Sequence, residues 1–447
     1  MADTPMLSGV EAYLARQTAR FHMPGHRGRL PEPLTQAAPY DITEVAGVDS
    51  LYESAGIIRQ TEDAYRDLYG TDASFLSAGG STLCIQAMLA LALNPHTQTN
   101  KILCGRGVHT AAVNAMALLG WQPVWVYPTQ AEDGLMGAIE PQTVAQALAQ
   151  NPDVGAVYIT SPNYYGVLCD VAGIAAVCRQ YQIPLLVDNA HGAHLKFLPQ
   201  SLHPMDLGAD LCADSLHKTL PVLTGGALLH SSRADFSAEA KRKMALFGST
   251  SPSYLIMLSA DMALPYLQKQ IRTDVAQVGA HIAQLSQLAT EKGFALPQGQ
   301  LDPMRLAVGF RPLGFTGQAF GAYIRAKGIE PEYLGDNYCV FLAGPTTRDE
   351  DWVRLEQILS QVPSQAPPTG ETAPTTVTPP EAVMGLREAL LAPSRLLPVE
   401  KAAGHIASGI CAPCPPGIPV VVPGEKIAGN MVRLLKNYGI SCINVVE

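Results

Sequence analysis

The chain has 447 residues, of which 47% are hydrophobic and only 15% are charged, so it can bury a large core. Its formal net charge of −9 argues against nucleic-acid binding driven by counterion release. The N-terminus lacks the basic start and apolar stretch of a signal peptide, and no apolar run approaches the roughly 20 residues that span a bilayer. We therefore expect a cytoplasmic protein that binds neither nucleic acid nor membrane.

Short apolar segments alternate with longer helical ones between about residues 56 and 230, which predicts an α/β fold with a mainly parallel sheet and flanking helices. Gly70 is a stop signal for a helix over Ile57–Tyr69, and Asp170 is a candidate N-cap for a helix over Val171–Tyr181. The predicted strands are Lys101–Cys104, Val124–Tyr127, Ala156–Thr160, Pro184–Val187, Asp210–Ala213 and Ala227–His230.

The second half of the chain predicts smaller units. Residues 254–293 have the pattern of a helix, and strand-like Met304–Phe310 and Tyr338–Leu342 flank a helical Gly317–Lys327. The proline-rich stretch Val362–Pro380 has no apolar periodicity and is typical of an extended linker. The predicted boundaries are an N-terminal segment (1–55), a large α/β domain (56–295), a small α+β domain (296–361), the linker (362–380) and a C-terminal domain (381–447).

Asp188 and Lys218 are the first pair of residues that suggest a chemistry. Asp188 ends an apolar strand, and ligands bind near the carboxyl ends of strands in open α/β sheets. Lys218 lies 30 residues later, in a polar cluster after another predicted strand. Together they fit a pyridoxal phosphate (PLP) site, in which the lysine holds the cofactor aldehyde as a Schiff base and the aspartate keeps the pyridinium nitrogen protonated.

Such a cofactor also needs a phosphate site. Ser81 and Thr82 follow two glycines at the start of a helical run, where hydroxyls and backbone N–H groups can donate to a phosphate. An ordinary helix N-cap after a tight turn is the structural alternative. His109 also begins a helical stretch, and it either lies on a pyridine ring or only caps the helix.

We predict no metal site. His191 and His194 form a pair without a cysteine or carboxylate cluster to complete a ligand set, and Cys411 and Cys414 are likewise a pair on their own. The nine cysteines are odd in number and scattered, which favours reduced thiols over a disulfide framework.

Several segments, taken in order, resemble one family, the bacterial ornithine/lysine/arginine decarboxylases, in its short form without the N-terminal receiver-like domain. The resemblance implies an aspartate-aminotransferase-like (type I) PLP fold with smaller α+β and C-terminal domains. The segments that carry it are Phe21–His26, Ser81–Thr82, His109, Ser161–Gly166, Asp188–His194, Ser215–Lys218, Pro415–Pro419 and Pro423–Glu425.

The resemblance implies a role for each matching residue. Lys218 is similar to the lysine that binds the cofactor, and His217 to a proton donor for the carbanion. Asp188 matches the partner of the ring nitrogen, and His109 the histidine stacked on the ring. The remaining matches are the phosphate contacts Ser81, Thr82 and Ser215, and the residues Ala190 and His191 that line the site.

The implied reaction converts arginine, lysine or ornithine to the corresponding amine and CO2, for polyamine or diamine synthesis. Glu425 is a candidate partner for the distal cation of the substrate, because a buried charge needs an acceptor; its alternative role is to fix a loop. Another type I reaction, such as transamination or aldol cleavage, stays open, as does an inactive homologue that acts as a binding partner. The family also implies a homodimer or higher homo-oligomer with the active site at the subunit boundary.

Overall fold

A computed structural model describes residues 3–93, 99–129, 135–364, 380–412 and 417–447. Its helices are α1 (Pro5–Ala15), α2 (Ile57–Tyr69), α3 (Gly80–Ala92), α4 (Thr110–Leu119), α5 (Pro141–Gln150), α6 (Val171–Tyr181), α7 (Leu216–Thr219), α8 (Ala234–Ala245), α9 (Tyr254–Lys269), α10 (Ile271–Glu291), α11 (Gly317–Ala326), α12 (Asp349–Ser360), α13 (Leu386–Leu391) and α14 (Gly429–Asn437). No helix in the described part of the chain is long and apolar enough to cross a membrane.

The strands are short, with two to seven residues each. They are β1 (Ala73–Ser77), β2 (Lys101–Gly105), β3 (Gln122–Val126), β4 (Val154–Thr160), β5 (Leu185–Asp188), β6 (Leu211–Ser215), β7 (Ala227–Ser231), β8 (Arg305–Gly309), β9 (Tyr333–Leu334), β10 (Tyr338–Leu342), β11 (Ser394–Pro398) and β12 (Cys442–Val446).

The chain forms two compact units, each assembled from separate stretches of sequence. The first unit comprises Met1–Ala92, Pro184–Gln277 and Gly344–Thr346, and the second comprises Leu93–Ile183, Val278–Ala343 and Thr347–Glu447. The domain boundaries predicted from the sequence stay a prediction.

Four strands of the first unit are neighbours in the order β1–β7–β6–β5. β5 runs parallel to β6, with Asp188 beside Ala213. β7 runs antiparallel to both β6 and β1, so that Ala227 pairs with Ser215 on one side and with Ser77 on the other. The carboxyl ends of β1, β5 and β6 therefore all lie at the same edge of this group of strands. The predicted cofactor-binding residues lie at or shortly after these strand ends.

Helix α3 begins at the same edge because it follows β1 after a short turn. Gly80 makes that turn with a φ of +67°, a conformation that glycine adopts without strain. Nearly every side chain from Leu83 to Ala92 is buried, and the helix contacts β6, β7 and α8. Burial of a side chain such as Met88 or Leu89 contributes about 1.5–3 kcal/mol, so packing of the helix body fixes where its N-terminus lies.

The second unit contains three parallel strands in the order β4–β2–β3, with Lys101 opposite both Gln122 and Val154. It also contains an antiparallel sheet in the order β8–β10–β9 and the antiparallel pair β11–β12. The β11–β12 pair packs with α14 on a small core that includes Val399, Val421 and Ile443. This unit therefore combines parallel α/β structure with smaller antiparallel sheets.

The structure corrects several predicted elements. The single helix predicted over 254–293 is two helices, because the backbone leaves helical geometry at Gln270, with a φ of −120°. The strand predicted over Pro184–Val187 is β5, one residue later, so Asp188 belongs to the strand. Strand β1 was not predicted at all. Most of the predicted linker, residues 365–379, lies outside the described residues.

Candidate active site

Asp188 is the last residue of β5, and its side chain is buried, with an exposed fraction of 2%. Its Oδ1 accepts a hydrogen bond of 3.1 Å from the backbone N–H of Ala190. Ala190 and His191, the two predicted lining residues, are also buried. The turn after β5 thus holds a carboxylate that can face a ligand at the edge of the strands.

Lys218 lies on the four-residue helix α7, which follows β6 directly. Its Nζ is 2.9 Å from Nε2 of His191, so the structure brings together the ends of the two segments that follow β5 and β6. A lysine amine held by an imidazole keeps a fixed position while it remains able to exchange a proton.

His217, beside Lys218, has a defined tautomer. Its Nδ1 donates a hydrogen bond of 3.0 Å to the carbonyl of Gly226, so Nδ1 carries a hydrogen. Burial lowers the pKa of His217 below its ordinary value of 6.5; the bond to Gly226 opposes this shift, and the nearby charge of Lys218 adds to it. The neutral ring therefore has its lone pair on Nε2.

Two predicted phosphate contacts meet at the N-terminus of α3. Ser215, at the end of β6, donates a hydrogen bond of 2.8 Å from its Oγ to Oγ of Ser81. A hydroxyl that accepts one bond still carries a hydrogen to donate. Thr82, on the next position of α3, is exposed. The hydroxyls of Ser81 and Ser215, together with the N-terminus of α3, form a polar site suited to an anion.

The residues of the first unit fit PLP. The hydroxyls of Ser81 and Ser215 and the N-terminus of α3 suit its phosphate, the buried carboxylate of Asp188 suits a protonated ring nitrogen, and the amine of Lys218 suits its aldehyde. A Cβ added to Gly80 would meet no atom within 4 Å, so open space lies beside the helix N-terminus.

The two other predicted site residues, His109 and Glu425, belong to the second unit. His109 is the N-cap of α4, and its Nδ1 accepts a hydrogen bond of 3.1 Å from the N–H of Ala111. The helix-cap alternative is therefore observed. Gly417 approaches the ring closely: a Cβ on this glycine would lie 3.1 Å from Nε2 of His109.

Glu425 is buried in an ion pair that the sequence did not reveal. Its Oε2 accepts hydrogen bonds of 3.2 Å from Nη2 of Arg106 and 2.8 Å from the N–H of Val422. Arg106 also donates to the carbonyls of Pro419 and Val420. Burial raises the pKa of Glu425, while Arg106 opposes the shift. These contacts match the predicted loop-fixing role; the substrate contact stays a prediction.

Arg106 is the residue that sequence reasoning missed at this place. It immediately follows β2 and precedes His109 by three positions, which was the only signal of its importance. Its guanidinium lies 5.2 Å from the ring centre of Trp125. Arg106 therefore joins the loop 419–425 to the segment that carries His109.

The histidine pair and the cysteine pair considered in the sequence analysis lie in different surroundings. His191 contacts Lys218, whereas His194 is buried in a short 3-10 helix, Ala193–Phe197. Burial raises the pKa of the Cys411 thiol to about 11, and Cys414 lies outside the described residues. The eight cysteines that the structure describes are free thiols.

Comparison with solved structures defines the class. The crystal structure of the Francisella novicida lysine decarboxylase LdcF matches with a TM-score of 0.82 over 99% of this chain and 81% of that chain, at 15% identity. The chain has the type I fold of PLP-dependent enzymes, a mostly parallel sheet with flanking helices, as the resemblance implied.

The sequence comparisons define the family: the chain belongs to the Orn/Lys/Arg decarboxylases. The major domain of that family matches residues 4–301, and its C-terminal domain matches residues 371–439. The arginine decarboxylases of Bacillus subtilis (strain 168) and Halalkalibacterium halodurans are each 29% identical over 97% of this chain and 94% and 93% of theirs. The chain is a PLP-dependent decarboxylase of basic amino acids, and neither alternative reaction nor an inactive homologue is favoured.

Proposed function

We propose that this chain decarboxylates arginine, in preference to lysine or ornithine, to agmatine and CO2 for polyamine synthesis in the cytoplasm. The observation that carries the choice of substrate is the similarity to proteins named arginine decarboxylase over nearly the full length of both chains. The lysine decarboxylase LdcF supports the fold alone, because its identity to this chain is 15%.

A product assay tests this proposal. Purified protein with PLP is incubated separately with arginine, lysine and ornithine, and CO2 is measured together with agmatine, cadaverine and putrescine. Agmatine as the dominant product supports the proposal. Cadaverine or putrescine in excess would reassign the substrate, and a keto acid without CO2 would indicate transamination.

The proposed cofactor residues of the first unit would each hold a different part of PLP. Lys218 would bind its aldehyde, Asp188 would face its ring nitrogen, and Ser81, Thr82 and Ser215 would donate to its phosphate. Ala190 and His191 would line the ring. His109, which belongs to the second unit, stays a predicted stacking residue. When bound, PLP accepts the electron pair that is left as CO2 departs.

The protein must then supply a proton to Cα, and His217 is our candidate donor. Its Nδ1–H is bound to the carbonyl of Gly226, so the atom able to deliver a proton is Nε2. Nε2 carries a hydrogen only when the ring is protonated, because the neutral tautomer has its hydrogen on Nδ1. The fixed ring also prevents the two nitrogens from exchanging roles.

The His217 role predicts a pH dependence. Since the pKa of His217 is lowered from 6.5, kcat for arginine should fall as pH rises, with a midpoint below 6.5. His217→Gln should lower kcat by about 10²-fold and remove this limb of the profile. A steady-state pH profile measures both. If the variant keeps the wild-type limb, another group donates the proton.

Glu425 gives a second prediction, about the substrate's distal cation. Glu425→Gln should raise KM for arginine about tenfold while kcat changes little, because a charge-assisted contact in the bound state is lost. Steady-state kinetics and thermal unfolding are measured on the same samples. An unchanged KM with a lowered Tm would show that Glu425 only fixes the loop through Arg106.

We also infer that the chain forms a homodimer or larger homo-oligomer with its active site at the subunit boundary, as the family resemblance implies. Large apolar side chains of the N-terminal segment support this, since Phe21 is 93% exposed and Met23 is 57% exposed. Light scattering should give at least twice the 47.6 kDa chain mass, and a monomer at assay concentration would contradict the inference.

A further inference from the structure

A buried polar cluster lies in the first unit beside the proposed cofactor residues. We define it as Asn189, His203, Asp214 and His230, each with an exposed fraction of 0%. Asp214 is on β6, His230 is on β7, and Asn189 directly follows β5. The cluster therefore joins three neighbouring strands through side chains, in addition to their backbone hydrogen bonds.

Asp214 is the centre of this cluster. Its Oδ1 accepts a hydrogen bond of 2.7 Å from Nδ2 of Asn189, and its Oδ2 accepts one of 2.9 Å from Nε2 of His203. Nε2 of His230 lies 3.4 Å from the same Oδ2. The ring of Tyr69 stacks on His230 at 4.5 Å and meets His203 edge-on at 5.1 Å. Asn189 and His203 therefore donate to different oxygens of the Asp214 carboxylate, while His230 lies close by.

Asp214 is ionised although it is fully buried. Burial by itself would raise its pKa, but the interactions with His203 and His230 outweigh burial and hold the pKa well below the usual 3.8. A buried carboxylate of this kind is stable only while its donors stay in place. The cluster is therefore rigid, since each lost donor exposes the remaining charge to an apolar interior.

Asn189 connects this rigid cluster to Asp188, the residue before it. Its backbone N–H donates to the carbonyl of Ala213 at 3.0 Å, and its carbonyl accepts from Gly192 at 2.8 Å. Its side-chain Oδ1 has no hydrogen-bond partner in the described part of the chain. The bond from Nδ2 to Asp214 is thus what orients the Asn189 amide.

We propose that Asp214 is a positioning residue for Asp188 and acts through Asn189. The inference rests on the proposed function, in which Asp188 faces the cofactor ring nitrogen. Asp188 accepts a hydrogen bond from Ala190, so its carboxylate is oriented by a turn whose central residue is Asn189. If the Asn189 side chain loses Asp214, the turn and the Asp188 carboxylate lose their fixed orientation.

The test compares Asn189→Ala with Thr61→Val, a matched control. Thr61 is also fully buried and donates to a buried carboxylate, Asp261, at 2.6 Å, away from the proposed site residues. Asn189→Ala should lower kcat about tenfold or more, the effect of one bond to a charged group, with KM changed less than twofold. It should also shift the visible absorbance of bound PLP. Thr61→Val should lower only the Tm.

Exchanging the amide of Asn189 and the carboxylate of Asp214 between the two positions distinguishes a positioning role from a general loss of stability. Asn189→Asp alone places two carboxylates face to face and should abolish the normal spectrum of bound PLP. The double variant Asn189→Asp/Asp214→Asn restores one donor and one acceptor between these positions, and it should recover most of the lost absorbance and kcat. A double variant no better than Asn189→Asp would overturn the pairing.

The Asp188→Asn variant distinguishes failure of this inference from failure of the proposed function. A strong effect of Asp188→Asn, together with unchanged kcat and spectrum in Asn189→Ala, would overturn the positioning role alone. Unchanged turnover in Asp188→Asn would overturn both, because Asp188 would then have no role to be positioned for.

Discussion

Replacement of Lys218 by alanine is expected to lower kcat for decarboxylation by roughly 10⁴-fold or more, since the group that binds the cofactor aldehyde is lost. The fold should persist because Lys218 is only half-buried and its observed hydrogen bond is to His191 at the same edge of the strands. Borohydride reduction of the wild-type protein followed by mass spectrometry should find the cofactor on Lys218, and the variant should carry none.

Lys196→Ala provides the matched control. Lys196 is in the same unit and donates from Nζ to the carbonyl of Tyr69 at 2.6 Å and to Asp206 at 2.7 Å. Its loss should lower the Tm but leave the trapped cofactor and kcat close to wild type. Cofactor trapped on a different lysine in the wild-type protein, or retained in Lys218→Ala, would contradict the assignment.

Local sequence signals predicted several elements closely. Helix α2 ends at Tyr69 because Gly70 adopts a φ of +67°, and the N–H of Gly70 bonds back to the carbonyl of Arg66. Helix α6 begins after Asp170, whose Oδ1 accepts from the N–H of Gly173 at 2.9 Å. Both signals act within four residues, so a single sequence is enough to find them.

Elements that depend on distant partners were harder to predict. Strand β1, Ala73–Ser77, is short, and its partner β7 lies about 150 residues later. The division of α9 from α10 at Gln270 has no glycine or proline at that residue to mark it. Strand pairing and helix packing against remote segments decided these cases, and neither leaves a local pattern.

The same distinction between local signals and contacts with distant segments applies to the predicted site. The chemistry of Lys218 and Asp188 could be read from residue types after apolar strands, but their surroundings could not. The sequence did not indicate that Asp214 carries a buried charge held by two histidines, because His203 and His230 come from other elements. The partner of Glu425, Arg106, is 319 residues away along the chain.

Asp188→Asn is expected to lower kcat on the order of 10²- to 10³-fold, a loss typical of removing one preorganised electrostatic contact. The carboxylate of Asp188 is 2% exposed, so water cannot replace it as the counter-charge of a protonated ring nitrogen. Asparagine has nearly the same shape and can still accept from Ala190, so the Tm should change little. Kinetics with arginine and the visible spectrum of bound PLP measure the effect.

Asp210→Asn tests whether the loss of kcat expected for Asp188→Asn depends on where the carboxylate lies along the strands. Asp210 precedes β6, and its Oδ2 accepts from the N–H of Leu185, the first residue of β5, at 2.8 Å. It therefore lies at the opposite end of the same two parallel strands. If Asp188 acts on the cofactor, only its substitution should reduce kcat, because the ring nitrogen meets one end of the strands. Equal losses in both variants would mean that the effect comes from weakened strand packing, and Asp188 would then have no role in the chemistry.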